Sequence, residues 1–450
     1  MGHSAVSQKL TKEQKQAVGL LSIGTFLEYF DLMLYVHMAV LLNELFFPKY
    51  DPHTTQLLTS LAFCSTYLLR PFGALIFGWL GDNIGRKSTV IITTTMMAFS
   101  CFVMANLPTY AQVGIIASWI VSICRIVQGM TSMGEIIGAI LYLTEITKPP
   151  IQYSVVTSIG VFSALGGTAA LGVASLFNSH GFNWRMAFLC GSVVALVGTI
   201  ARTKLRETPN FVDAKKRIEN TIIKCGYDIK ILDDSIIAKE KVNKISVLAL
   251  FLIECTWPAW FYLIYMHCGN ILKNSFGFTP EAIINQNFIV SMCYLGSITL
   301  LSYITYYIHP FLILKIKLLI FSIFILAFPY LLDNITSAFQ LLIVQSFFSV
   351  FAPTGFPAVS IFYLHFPILK RFTYSCLIYA VSRSIMAVVT SFSLIYLIDY
   401  LGNYGLLLFI IPVILGFAFA LFHFEKLEKI LNRYPLVKSP NHLEAIVLHP

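Results

Sequence analysis

The sequence predicts an all-α integral membrane protein with twelve transmembrane helices in two bundles of six. Three observations lead to this fold class. Hydrophobic residues make up 57% and charged residues 12% of the 450 positions, whereas soluble domains average about 45–50% and about 25%. The apolar residues fall in twelve runs, each near the roughly 20 residues that cross a bilayer as a helix. A long charged segment separates the sixth run from the seventh.

The twelve predicted spans follow one another with short connections, apart from the central segment. In order, they cover residues 17–42, 55–80, 88–107, 112–143, 154–178, 184–202, 246–268, 285–308, 316–332, 339–364, 373–398 and 404–423. We therefore divide the chain into an N-terminus at 1–16, a first bundle at 17–202, a linker at 203–245, a second bundle at 246–423 and a tail at 424–450. The linker is interpreted either as short amphipathic helices on the inner membrane face or as a solvated connection. The tail is predicted to open with a short amphipathic helix from His423.

The distribution of the basic residues indicates how these spans are oriented across the membrane. The net charge is +9, and the bases lie in loops between apolar runs rather than on one continuous surface. One set of loops, with both ends of the chain, holds nearly all of them, and the opposite loops hold only Lys49, Arg185 and Lys273. Because cytoplasmic loops carry the excess of Lys and Arg, both termini are predicted to be cytoplasmic. The same distribution excludes a nucleic-acid partner.

The sequence lacks the patterns of an enzyme or a metal protein. The nine cysteines are scattered, with no Cys-x-x-Cys and no nearby pair of histidines, whereas metal sites need closely spaced ligands. No nucleophile and base arrangement and no phosphate-binding glycine loop occurs at a usable position. We therefore expect no enzymatic activity and no bound cofactor.

The turn between the second and third spans is the most informative stretch. From Arg70 to Lys87 it reads Arg-Pro-Phe-Gly-Ala-Leu-Ile-Phe-Gly-Trp-Leu-Gly-Asp-Asn-Ile-Gly-Arg-Lys. Its glycines allow close backbone approach, its acid can accept hydrogen bonds at a helix end, and its two final bases mark a cytoplasmic loop. This pattern resembles the loop between helices two and three of the major facilitator superfamily. The resemblance implies an inner gate that includes Gly78, Asp82, Gly85, Arg86 and Lys87.

Four ionisable residues fall near the middle of the bilayer when the spans are counted at about 1.5 Å per residue. They are Asp31, Arg70, Arg125 and Arg383. A charge at that depth costs about 2.5–3.5 kcal/mol on insertion scales, so each of these residues needs a partner or a wet cavity. Such residues mark a solute or ion pathway.

The first span places Glu28, Asp31 and Tyr35 on one helix face, because they are spaced by three and four residues. Two carboxylates that face one partly dry cavity cannot both be ionised cheaply. We therefore predict that Asp31, with Glu28, takes up and releases a proton. A fixed ion pair of Asp31 with Arg70 or Arg125 is the alternative, and both interpretations are open at this point.

The fourth span carries a line of polar residues that includes Arg125, Gln128, Glu135 and Glu145. Arg125 and Glu135 are ten residues apart, about 15 Å along a helix, so they cannot form a direct pair. Arg125 is predicted either to hold a solute carboxylate in the bidentate manner of a guanidinium group or to form a structural pair. Glu135 and Glu145 are predicted to latch the inner gate, against Arg86 or a neighbouring helix.

Further motifs extend the resemblance over residues 20–212. They read Glu-Tyr-Phe-Asp in the first span, Arg-Pro-Phe-Gly-Ala before the loop, Arg-x-x-Gln-Gly-x-x-x-x-Gly-Glu in the fourth span and Glu-Thr-Pro-Asn-Phe after the sixth. Together they resemble the metabolite:proton symporter family, and within it most closely the bacterial proline/betaine transporters. The resemblance implies a central site and proton-driven alternating access, by a monomer in the bacterial inner membrane.

The second half departs from that pattern. The loop at 306–317 has no acid and no Gly-Arg pair, and His365 precedes Phe366 and Pro367 where the family usually has an acid. The C-terminal gate must therefore be held differently, or transport is altered or lost. Arg383 adds a charge that we expect Glu254 to balance. Trp257 and Trp260 are candidates to stack on a quaternary ammonium group.

These observations predict a proton-coupled symporter that imports a small carboxylated or zwitterionic solute of the proline or glycine betaine type. Its expected partners are that solute, protons and the lipid bilayer. The predicted solute-binding residues are Arg125, Arg70, Tyr35, Gln128, Trp257 and Arg383. Two alternatives stay open: a carrier for a di- or tricarboxylate such as 2-oxoglutarate, and a membrane sensor that keeps the fold without transporting.

Overall fold

The computed structural model describes residues 9–46, 69–180, 184–203 and 242–431. Within these ranges the regular secondary structure is helical, in twelve main segments. Ten candidate spans in this part of the chain are long and apolar enough to cross a bilayer. The chain is therefore an all-α, multi-pass membrane protein, as the sequence predicts.

The first six helices correspond to the first six predicted spans. They are α1 (Lys12–Phe46), α2 (Arg70–Asn83), α3 (Arg86–Asn106), α4 (Ile115–Ile146), α5 (Ile151–His180) and α6 (Trp184–Arg202). Most of the second predicted span, 55–80, lies outside the described residues, and α2 is its final part. Between α2 and α3, Gly85 has a φ of 119°, which only glycine adopts at little cost. This turn lets two helices follow one another almost without a loop.

The second six helices are similarly arranged. They are α7 (Lys244–Phe276), α8 (Pro280–Ile304), α9 (Pro310–Asp333), α10 (Ala338–Leu364), α11 (Arg371–Leu401) and α12 (Gly405–Ile430). Two of them are irregular. A π-helical turn covers Tyr262–His267 in α7, and α10 is interrupted between Phe351 and the short 3₁₀ turn Phe356–Ala358. Pro353 and Gly355 stand in that interruption, where proline and glycine both disfavour helix.

The last helix extends beyond its predicted end. Instead of a separate tail helix that begins at His423, α12 continues to Ile430. Phe424, Glu425 and Glu428 in the added turns are buried, so packing of that face sustains the helix past the apolar run. The rest of the tail and nearly all of the linker at 203–245 lie outside the described residues, and the proposed region boundaries stay predictions.

The two bundles meet mainly where α5 packs on α8 and where α2 packs on α11. The α5 and α8 helices are joined by reciprocal hydrogen bonds. The hydroxyl of Ser154 donates to the carbonyl of Ser302 at 2.6 Å, and the hydroxyl of Ser302 donates to the carbonyl of Ser154 at 3.0 Å. Farther along the same helices, the hydroxyls of Thr168 and Ser291 contact each other.

Candidate functional site

The residues of the predicted inner gate contact one another across the two bundles, and Asp82 of α2 is their central hydrogen-bond acceptor. Its Oδ1 accepts the backbone N–H of Phe372 at 3.2 Å, and its Oδ2 accepts the backbone N–H and the hydroxyl of Thr373 at 2.8 and 2.7 Å. These N–H groups belong to the first turn of α11, where a helix leaves its donors unsatisfied and favours an anion. An acid of the first bundle thus caps a helix of the second.

Arg86 holds the same region from the start of α3. This fully buried side chain donates to the carbonyl oxygens of Gly81 and Ile368, each at 2.8 Å. It also lies 3.4 Å from both Asp82 and Glu145. Two acids and two carbonyl groups therefore compensate the burial of one guanidinium group.

A second arginine completes this cluster. Arg371, the first residue of α11, lies 3.3 Å from the same Glu145 oxygen that faces Arg86. The sequence alone indicates only a cytoplasmic loop position for Arg371, because nothing local in the chain connects it to Glu145. We use the name inner-gate cluster for Asp82, Arg86, Glu145 and Arg371.

Two glycines of α2 allow the bundles to touch. A Cβ atom at Gly78 would lie 2.8 Å from the Cα of Thr373, and one at Gly81 would lie 2.6 Å from the ring of Phe372. Both distances are too short for ordinary packing, so a side chain at either position would separate α2 from α11. The glycines at 78 and 81 thus bring Asp82 within reach of its partners.

The other predicted gate residues surround this contact. Gly85 forms the turn before α3, and Lys87 is only partly buried. Glu135 is buried in α4, ten residues before Glu145 and therefore deeper in the bundle. Its contribution to the gate stays a prediction.

In the second bundle, acids of α12 form ion pairs near the positions where the family pattern is missing. The Nε2 of His365 lies 2.8 Å from Glu428, and Glu425 lies 2.7 Å from Lys315 and 2.9 Å from Lys429. The missing loop acid is thus replaced by two glutamates one turn apart on another helix. These contacts show how the described part of the divergent half is held together.

A central cavity, with about 780 Å³ of empty space including its opening to solvent, lies between the bundles. Helices α1, α5, α7, α8 and α10 contribute its walls. No charged side chain occurs among the described lining residues, which are mostly aromatic or hydroxylated. The aromatic ones are Tyr29, Trp257, Trp260, Phe261, Tyr265, Tyr294 and Phe356, and the hydroxylated ones are Ser163, Thr168, Ser291, Ser349 and Thr354.

Two tryptophans of α7 have different roles in that wall. The indole N–H of Trp260 donates to the carbonyl of Pro353 at 2.9 Å, which ties α7 to the interruption of α10. Trp257 stacks on Phe261 with ring centroids 5.1 Å apart. Trp260 is therefore anchored in the protein, whereas Trp257 is the aromatic side chain that borders charged groups, as described next.

A smaller cavity of about 340 Å³ adjoins the central one and shares Trp257, Thr354 and Phe356 with it. Here the predicted pair of Glu254 and Arg383 is present, with Nη1 of Arg383 3.2 Å from Oε2 of Glu254. The guanidinium carbon lies 5.7 Å from the ring centroid of Trp257. A charged pair thus lies directly beside the uncharged cavity.

Asp31, the first of the two predicted proton-coupling residues, lies in a separate polar cluster within the first bundle. Arg125 donates to the side-chain oxygen of Gln128 at 2.8 Å, and Asp31 is buried beside Arg125 and Cys101. The amide nitrogen of Gln128 faces the sulfur of Cys101 at 3.9 Å. The structure therefore brings Asp31, Arg125 and Gln128 together, and neither Arg125 nor Gln128 occurs among the described residues that line the two cavities.

The remaining predicted residues are less closely connected to the cavities. Glu28 is buried on α1 and lies within electrostatic reach of Tyr29 and Tyr379. Arg70 is buried at the start of α2. The side chain of Tyr35 lies outside the described ones. The predicted solute site is thus divided, with Trp257 and Arg383 at the cavities and Arg125 and Gln128 in the polar cluster of the first bundle.

Comparisons with known proteins agree with this architecture. The family model for sugar (and other) transporters matches residues 18–228. A proton:xylose symporter bound to 6-bromo-6-deoxy-D-glucose superposes with a TM-score of 0.70 at 15% identity, over 92% of this chain and 95% of the symporter. The human organic anion transporter MFSD10 has a TM-score of 0.64 at 16% identity, over 91% of this chain and all of its own. The chain has the major facilitator fold.

Sequence similarity is concentrated in the first half of the chain. An inner membrane metabolite transport protein of Escherichia coli (strain K12) is 31% identical over 252 residues, 54% of each chain. A proline/betaine transporter of Salmonella typhimurium (strain LT2) is 30% identical over 212 residues, 46% of this chain and 42% of its own. The chain spans about half the length of the curated relatives that it matches.

The comparisons confirm the predicted resemblance to the major facilitator superfamily and to proline/betaine transporters. The relatives and structural neighbours named above are transport proteins, in agreement with the prediction that the chain is not an enzyme. The second bundle keeps the major facilitator fold although its loop motif is absent.

Proposed function

We propose that this chain is a carrier that imports a small zwitterionic solute of the proline or glycine betaine type, coupled to protons. The central cavity carries the proposal. It lies between the two bundles, its walls are mostly aromatic or hydroxylated, and the contacts of the predicted inner gate join the same two bundles. A cavity that opens to alternate sides when such contacts break is the basis of alternating access in these folds.

The chemistry of the lining favours a zwitterion. Aromatic faces attract a quaternary or secondary ammonium group by cation–π interaction, and Trp257 and Tyr294 both line the cavity. Arg383 stands next to Trp257 and offers a cation for a carboxylate. A dicarboxylate such as 2-oxoglutarate would require two cations, and Arg383 alone fills that role among the described lining residues of the two cavities. We therefore rank the zwitterion first.

Proton coupling is assigned to Asp31, with Glu28 as the second acid. Asp31 is buried beside Arg125 inside a transmembrane helix, where a charge requires compensation. Protonation of Asp31 would remove one charge of that pair and change the balance that holds α1 against α4. We also propose that the protein acts as a monomer in the bacterial inner membrane, with both termini in the cytoplasm.

Uptake into proteoliposomes tests the proposal. Labelled proline, glycine betaine and 2-oxoglutarate are supplied with and without an inward proton gradient, to wild type and to the variants Asp31→Asn, Trp257→Phe and Trp257→Ala. We expect the wild type to take up proline or betaine faster with the proton gradient, and Asp31→Asn to lose this stimulated uptake. The uptake rate should fall by about tenfold or more in Trp257→Ala. Trp257→Phe should keep most of the rate, because Phe keeps an aromatic face.

The matched control is Trp119→Ala, which removes an exposed tryptophan of α4. It should transport like the wild type. Folded and inserted protein that moves none of the three solutes would contradict the proposal and favour the sensor. Uptake of 2-oxoglutarate alone would replace the zwitterion with a dicarboxylate.

A further inference from the structure

We propose that Glu254 occupies the position of the solute carboxylate in the empty carrier, and that the bound solute displaces Glu254 from Arg383. The inference rests on the proposed import of a zwitterion and specifies where its negative end binds. Glu254 then has a function beyond structural pairing, because its carboxylate competes with the carboxylate of the solute for the guanidinium group of Arg383.

The first step is the placement of Arg383. Its guanidinium carbon lies 3.4 Å from the ring centroid of Tyr379 and 5.7 Å from that of Trp257. A planar guanidinium group stacks well on aromatic faces, so these two rings hold Arg383 in position independently of the carboxylate that it faces. Arg383 can therefore exchange one carboxylate for another without losing its support.

The second step is the contact with Glu254, which is end-on. Nη1 of Arg383 lies 3.2 Å from Oε2 and 3.3 Å from the backbone carbonyl of the same residue, while Oε1 accepts the hydroxyl of Tyr363 at 3.3 Å. The preferred geometry of arginine and carboxylate is two parallel hydrogen bonds of about 2.7–2.9 Å. A small free carboxylate can adopt that geometry more readily than one that belongs to α7 and is shared with Tyr363.

The third step is access. Glu254 and Arg383 line the smaller cavity, which shares Trp257, Thr354 and Phe356 with the central one. A solute whose ammonium group contacts Trp257 can thus direct its carboxylate toward Arg383 on the other side of the same ring. The two cavities together match the two ends of a zwitterion.

The exchange of carboxylates on Arg383 would also affect a contact with the first bundle. Tyr379, which stacks on Arg383, shares a hydrogen bond of 3.1 Å with the hydroxyl of Tyr29 on α1. Tyr29 lines the central cavity and directly follows Glu28 in the chain. A shift of Arg383 toward the solute therefore acts on an inter-bundle hydrogen bond two residues from Asp31.

Equilibrium binding to the purified protein tests the inference, with glycine betaine and choline as probes. Both have a trimethylammonium group, and choline lacks the carboxylate. Proline and pyrrolidine are the second matched pair. We expect wild type to prefer the carboxylated member of a pair, and Arg383→Gln to lower that preference by about tenfold or more, as loss of one partner of a desolvated charge pair does.

Glu254→Gln is the decisive variant, since it keeps the shape and a partner for Tyr363. If Glu254 competes for Arg383, its neutral analogue raises the affinity for betaine or proline severalfold, because the binding-competent fraction increases. The affinity for choline or pyrrolidine should stay the same. Unchanged or weaker binding of the carboxylated solute, with a lower melting temperature, would overturn the inference and leave a purely structural pair.

The two proposals fail in different ways. If wild type binds none of the four probes, the proposed function and the inference both fail. If it binds betaine or proline and Arg383→Gln keeps the wild-type preference, only the inference fails. Should Arg383→Gln not fold, the response to Glu254→Gln decides the question alone.

Discussion

Glu145 and Arg371 are 226 positions apart in the chain, and their side chains lie 3.3 Å apart across the boundary of the two bundles. The same carboxylate oxygen lies 3.4 Å from Arg86 of its own bundle. One acid therefore screens two arginines that would otherwise repel each other where the gate closes. Removal of a partner from a buried ion pair costs about 3–5 kcal/mol, because a charge is left uncompensated.

The first prediction is that Glu145→Gln opens the inner gate. Cys376 reports the opening, because this fully buried residue of α11 places its sulfur 3.4 Å from the carbonyl of Met133 on α4. The rate at which a maleimide alkylates Cys376 is measured by mass spectrometry of the peptide that contains it. This rate should be at least about tenfold higher in Glu145→Gln than in the wild type. A tenfold increase corresponds to a weakening of the closed gate by about 1.4 kcal/mol. The control is Glu281→Gln, which changes an exposed acid. Equal alkylation rates in both variants would rule out Glu145 as the latch.

The second prediction concerns the glycine contact of α2 with α11. Gly78→Ala should hold the gate open, because the new methyl group would lie 2.8 Å from the backbone of Thr373. Uptake should fall and Cys376 should be alkylated faster. Gly296→Ala is the matched control on α8, where a Cβ atom has nothing within 4 Å. That control should keep the wild-type rates and gain up to about 0.5–1 kcal/mol of stability from helix propensity. A closed gate in Gly78→Ala would mean that the helices can repack.

The third prediction is a pH dependence of stability through His309. Its Nδ1 accepts the backbone N–H of Phe311 at 3.3 Å and so caps α9, and its ring packs edge-on against Tyr153 of the first bundle. Burial lowers the pKa of His309, and the carboxylates of Glu428 and Glu425 offset part of that shift. The folded protein therefore prefers the neutral ring, and the free energy of unfolding decreases as the pH falls through the unfolded pKa of about 6.5.

His309→Asn isolates this effect, because asparagine is a good helix cap that does not titrate. A side-chain cap contributes about 0.5–2 kcal/mol, so the variant should keep most of the stability at pH 7.5. Thermal unfolding at pH 7.5 and 5.5 should show a smaller loss for His309→Asn than for wild type. An equal loss in both proteins would place the pH dependence at other histidines.

The fourth prediction links the π-helical turn of α7 to packing. The side-chain amide of Gln345 donates to the carbonyl of Ile264 in that turn at 2.7 Å, and its oxygen accepts the amide of Gln286 at 2.8 Å. Gln345→Leu loses both hydrogen bonds and should destabilise the protein by about 1–3 kcal/mol, because buried polar groups lose their partners. Gln286→Leu loses one of the two bonds and should lower the melting temperature less. Equal effects of both variants would show that the carbonyl of Ile264 finds another donor.

Sequence patterns predicted the helices well and the site in part. Apolar runs placed each described span within several residues, since a bilayer demands a fixed helix length and internal hydrogen bonding. The pair of Glu254 and Arg383 was found by asking which buried charge balances another. Arg125 and Trp257 were expected in one solute site, but in this conformation they lie apart. Counting residues along a helix gives the depth of a side chain in the membrane, but it does not tell which face of the helix points into the cavity.

Local chemistry thus decided the number, length and order of the membrane spans, and the glycine turn that ends α2 at Gly85. Tertiary structure decided every contact across the two bundles. The contacts of Asp82 with Thr373 and of Tyr29 with Tyr379 join residues 291 and 350 positions apart. The spacing of apolar residues does not predict such pairs, because it depends only on the contact of one helix with lipid. A buried charged or hydroxyl group finds its partner only when two helices pack against each other.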